Sequence, residues 1–162
     1  VTAATRKSKP APARPAPPPA MTAYADDIYG WAIEQAAALR AGNLSVLDRE
    51  NLAEEIESLG RSEFNRLVSF YALVQLHMLK WQYQPSHRSA SWAVSISTHR
   101  KHVNLTIADN PSLKSRLDEA FERAYLQARL NAINETGLAP ATFPLDCPFT
   151  RDEAMTRPFV YE

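Results

Sequence analysis

Residues 64–81, FNRLVSFYALVQLHMLKW, are the most apolar part of the chain. Read at helical spacing, Phe64, Leu67, Val68, Phe70, Tyr71, Leu73, Val74, Leu76, Met78, Leu79 and Trp81 surround nearly the whole helix circumference. A helix that is apolar on most sides is buried on most sides. The stretch therefore predicts a central helix with other helices packed around it. Gln84-Pro85 ends it, because the residue before proline disfavours the α region.

Working upstream, Leu52, Ile56 and Leu59 form a second apolar stripe, and Asp48 or Ser45 is placed to cap its helix. Gly60 is expected to interrupt it and Ser62 to open a new turn, giving one kinked helix or two. Ile28, Trp31, Ala32, Gln35 and Leu39 predict a first helix, stopped at Gly42-Asn43. Downstream, Trp92, Ile96, Val103 and Ile107 mark a helix over about 89–109. At Asn110-Pro111, asparagine can cap and proline fits a first helical position. Leu113, Leu117, Phe121, Ala124 and Ala128 carry the last long helix, and Gly137 terminates it. Residues 138–162 hold Pro140, Pro144, Pro148 and Pro158 among Phe143, Phe149, Phe159 and Tyr161. They predict an irregular tail whose aromatics dock back, with Thr150 and Glu153 able to box one short turn. The expected class is all-α, a bundle of four to six helices.

The chain has 162 residues, 45% apolar and 22% charged, enough for one sizeable core. It contains no apolar run long enough for a membrane span, and its one cysteine, Cys147, supports no internal disulfide or cysteine zinc cluster. The net charge of zero is uneven. Residues 1–20 hold Arg6, Lys7, Lys9 and Arg14, no acid, and six of the twelve prolines. They read as a disordered basic leader, either a docking arm or not native protein, with translation expected to start at Met21. The leader has no secretory pattern, so a cytoplasmic location is expected. Residues 21–162, read as a single helical domain, carry 14 basic and 18 acidic residues, which is not the composition of a basic nucleic-acid binder.

Three polar constellations stand out. Glu50, Glu54, Glu57 and Arg61 share one face of one helix, a solvated face or a carboxylate site. His77, Lys80 and Gln84 form a polar stripe inside the central helix. A lysine there needs a partner or a route to the surface, so Glu54 or Glu57 is expected to pair with His77 or Lys80 across a helix–helix contact. Arg88, Arg100 and Lys101, with Trp92 and neighbouring histidines, could form a basic and aromatic surface.

Established chemistries find no foothold. None of the four histidines follows a glutamate by three positions, as a di-iron bundle requires. No His-Glu-x-x-His, phosphate loop or nucleophile elbow occurs, and Cys147 has no base in view. No cofactor and no metal is expected, and no catalytic residue is assigned.

The run Asp48–Glu63, DRENLAEEIESLGRSE, with His77–Pro85, HMLKWQYQP, the pair Ser91-Trp92, Tyr29–Ala32 and the tail Phe143–Thr150, resembles the bacterial domain-of-unknown-function family 29. The similarity covers about residues 22–160. It implies an all-helical fold and a bacterial source, and brings no established activity. The expected role is a small soluble module acting through a protein partner or as a homodimer, away from membranes. A ligand, metal or enzyme pocket of Glu54, Glu57, His77 and Lys80 is the alternative, and a nucleic-acid-associated factor the second.

Overall fold

A computed structural model describes residues 21–161. The leader, residues 1–20, lies outside the described residues. Five α-helices and no strand occur among the described residues: α1 (Ile28–Arg40), α2 (Arg49–Tyr83), α3 (Ala90–Asp109), α4 (Leu117–Thr136) and α5 (Arg151–Thr156). Short 3-10 turns separate them. No described helix is long and apolar enough to cross a membrane. By internal contacts the chain divides into two units, residues 1–53 and 54–162.

In the first unit, Asp27 caps α1 by accepting from the Gly30 N–H. Trp31, Gln35 and Ala38 form the buried face of α1. Ile28 and Leu39, expected to share it, are exposed. Buried polar groups must find partners, and Asp48 supplies them. The Asp48 N–H donates to Gln35 Oε1 at 2.9 Å, and Asp48 Oδ2 accepts from Trp31 Nε1 at 3.3 Å. Asp48 also accepts from the Asn51 N–H, so it caps α2 as expected. The Asn51 side chain is the main cause that holds the Asp48 carboxyl below its usual range.

The second unit is built on α2, which continues unbroken through Gly60. The expected break is absent, because glycine lowers helix propensity without forbidding helical φ and ψ. Leu67, Val74 and Leu79 of α2 are fully buried and meet Ile96 and Val103 of α3 and Ala120, Ala124, Ala128 and Ala132 of α4 in one core. Tyr71 sets its ring edge-on to Phe121, and Gln75 Nε2 donates to the Phe121 carbonyl at 2.9 Å.

The Asn110-Pro111 restart takes a different form from the one predicted. Pro111–Arg116 is a 3-10 turn, and α4 begins at Leu117. The Asn110 amide turns back to donate to Glu63 Oε2 and the Thr106 carbonyl, both at 3.2 Å, instead of capping α4. Gly137 ends α4 at φ 67°, the left-handed conformation in which glycine carries no Cβ penalty.

The tail docks through three of its four aromatics: Phe159 is partly buried against the core, while Tyr161 stays exposed. Phe143 and Phe149 are buried. Arg129 donates to the carbonyls of Phe143 and Pro140, and Tyr125 donates to that of Pro144. Thr150 and Glu153 form a reciprocal capping box on α5.

Candidate functional site

The polar stripe of α2 lies in a seam with α3 and α4. Lys80 Nζ lies 2.7 Å from Glu135 Oε2 on α4 and 4.8 Å from the centroid of the Trp92 ring on α3. Gln84 Nε2 donates to the Thr136 carbonyl at 3.5 Å. One turn above Lys80, the His77 ring stacks on His99, with centroids 6.4 Å apart and planes at 7°. His99 and His102 stand edge-to-face at 5.8 Å, and Phe70 packs on both. The Nδ1 atoms of all three histidines are buried without a hydrogen-bond partner.

Such a seam favours neutral imidazole. Burial first, and then the Lys80 ammonium, push the His77 pKa down to about 4, against a smaller upward pull from Glu135. Burial and the neighbouring His102 lower His99 as well. Among the described residues, no group of three or more His, Cys, Asp or Glu side chains is arranged to hold a metal ion.

The glutamates predicted to join this seam are elsewhere. Glu54 and Glu57 sit on the same unbroken helix as His77 and Lys80. Twenty residues of helix, the interval from Glu57 to His77, span about 30 Å, so no helix–helix contact brings them together. Glu57 instead makes an exposed contact with Arg61 at 3.4 Å, and Glu50 and Glu54 are exposed. The residue that satisfies Lys80 is Glu135. The sequence carried its signal in a weak form, as a carboxylate in the last turn of the long α4.

The basic and aromatic residues divide. Arg88 Nε donates to the Trp81 carbonyl at 2.9 Å while its guanidinium lies over the Trp81 ring. Trp81 meets Phe159 edge-on at 5.5 Å, and Arg100 and Arg157 both lie over the Phe159 ring. Arg100 is anchored by donating to the Ala154 carbonyl. Trp92 belongs to the Lys80 contact, and Lys101 is exposed on α3. Arg100 and the Trp81–Phe159 contact thus fasten the tail over α2 and α3, while Arg88 holds the end of α2, uses that the sequence pattern did not reveal.

Two further features lie at the surface, and the second overturns the expectation that Ile56 and Leu59 belong to a packed apolar stripe. An open cleft of about 650 Å³ runs between α4 and the tail, lined by Phe121, Glu122, Tyr125, Arg129, Leu145 and Cys147. Burial pushes the Cys147 thiol up, away from nucleophilic character. The second lies on α2. Residues 54–63 bury no side chain, in contrast to the ten buried residues that follow on that helix, and Ile56 and Leu59 are 67% and 70% exposed one turn apart.

A family model described as Domain of unknown function DUF29 matches residues 23–160. The chain belongs to the DUF29 family. The match spans α1 to the docked tail, so the DUF29 region includes the exposed α2 face, the histidine seam and the arginine-fastened end. No curated protein and no solved structure matches the chain.

Proposed function

We propose that this DUF29 protein is a protein-interaction module that docks a helix from another protein molecule along residues 54–63 of α2. One observation carries the reading: Ile56 and Leu59 stand exposed on a stretch of α2 that buries nothing. A large aliphatic pair one turn apart on a helix matches the spacing by which amphipathic helices recognise each other. The first unit also exposes Tyr29 and Ile33, four apart on α1, which suits a role in contacts. The competing pocket of Glu54, Glu57, His77 and Lys80 has no support in the geometry, because those four side chains do not gather.

The test is a photo-crosslinking amino acid placed at Ile56 in cells, with Lys101 on α3 as an exposed control. Docking predicts a discrete adduct from position 56, none from 101, and loss of the adduct when Leu59→Glu is added. The same yield from both positions, or none from 56, would overturn the reading.

A further inference from the structure

We infer that the helix docked on α2 belongs to a second copy of the chain, with Leu59 of each copy seated on Gly60 of the other. The inference rests on the docking reading above and names its partner.

Gly60 is the starting point. It sits in the interior of α2, where glycine weakens a helix relative to alanine. Among the described residues positive φ occurs only at Gly42 and Gly137, so the backbone at Gly60 makes no use of glycine's freedom. A Cβ there would meet nothing within 4 Å, so the chain's own packing does not call for glycine either. Gly60 borders an open hollow of about 290 Å³, lined also by Leu59, Glu63, Asn110, Ser112 and Leu113. It is large enough for a leucine side chain from outside.

The protruding side chain and the hollow are neighbours on one patch, which makes the patch self-complementary. That is the requirement for an isologous two-fold contact. An antiparallel pairing of α2 with its copy, with the axis between positions 59 and 60, sets Leu59 against Gly60. The same register sets Glu54 against Asn65, Glu57 against Ser62 and Arg61 against Ser58, so no two like charges face each other. Ile56 meets Glu63, whose carboxylate is already held by Arg66 at 2.9 Å and by the Asn110 amide at 3.2 Å.

Sedimentation equilibrium of the full chain, from about 1 to about 100 µM, tests the inference. The expected result is a reversible monomer–dimer equilibrium. Leu59→Glu and, separately, Gly60→Leu should each weaken it at least about tenfold. Gly60→Leu should do so while its monomer, melted at low protein concentration where wild type is also monomeric, stays folded, since a Cβ at this position meets nothing within 4 Å. A wild type that stays monomeric throughout, or dimers indifferent to both substitutions, would overturn it. A monomeric wild type whose Ile56 crosslinks still trap a protein of different mass would overturn the second copy alone and leave the docking reading standing. No crosslink at all would overturn both.

Discussion

Lys80 Nζ and Glu135 Oε2 meet at 2.7 Å, joining the last turn of α2 to the last turn of α4, with the Lys80 side chain 12% and the Glu135 side chain 45% exposed. The lysine is the more buried partner and also lies over Trp92. Half of the pair is open to solvent, so screening limits what the charges themselves contribute. In a Lys80→Met, Glu135→Gln double-mutant cycle, denaturant melts should give a coupling of about 0.5–1 kcal/mol. A coupling near zero would mean that the lysine is held by its stem and Trp92 alone.

The histidine seam makes stability depend on pH. The folded pKa of His77 lies at about 4, below the ordinary 6.5. Between those values the unfolded chain takes up a proton that the folded chain refuses. The contribution is therefore complete above pH 6.5, falls as pH drops towards 4, and is gone below it. His99 is shifted in the same direction and adds to the slope. With partial exposure allowed for, His77 accounts for no more than about 2 kcal/mol. Melts from pH 7.5 to 4.5 should show His77→Leu losing less stability on acidification than wild type. Parallel curves would refute the assignment.

Gly60→Ala should stabilise the monomer. The added methyl meets nothing and the helix gains propensity, so denaturant melts at low protein concentration should rise by about 0.5–1 kcal/mol. Gly137→Ala should do the reverse, losing about 1 kcal/mol, because φ at 67° suits glycine and strains alanine. If both substitutions moved stability in the same direction, the backbone argument would fail.

The tail acts as part of the core. Phe143 is buried against Tyr83, and Arg129 and Tyr125 hold the carbonyls around it. Phe143→Ala should cost about 3–5 kcal/mol, and limited proteolysis should then cut first between 138 and 150. A loss below about 1 kcal/mol would show that the tail is a dispensable strap.

Much of this was legible in the sequence, for local reasons. The circumferential apolar run at 64–81 needed only helical periodicity, and Asp48, Gly137 and the Thr150–Glu153 box announce themselves by residue type. Asn110 resembled a cap by type, yet its amide serves Glu63, a partner that the chain supplies only once α2 and α3 have packed. The partner of Lys80 was hidden for the same reason. A carboxylate 55 residues away competes in sequence with nearer glutamates, and continuity of the helix through Gly60 rules out the nearer ones. The meaning of Gly60 was hidden too. Read along the chain it looks like a breaker, and its open surroundings appear only in three dimensions.

Amide hydrogen exchange on the full chain at low and high concentration distinguishes a docking face at residues 54–63 of α2 from a face that is merely exposed. This stretch has no buried side chain to protect it in the monomer. Exchange in 54–63 should slow as concentration rises, while α3 from Ala90 to Asp109 stays unchanged. Identical exchange in 54–63 at both concentrations would contradict self-docking. If the rates also stayed the same in whole cells, the face would not be a docking face at all.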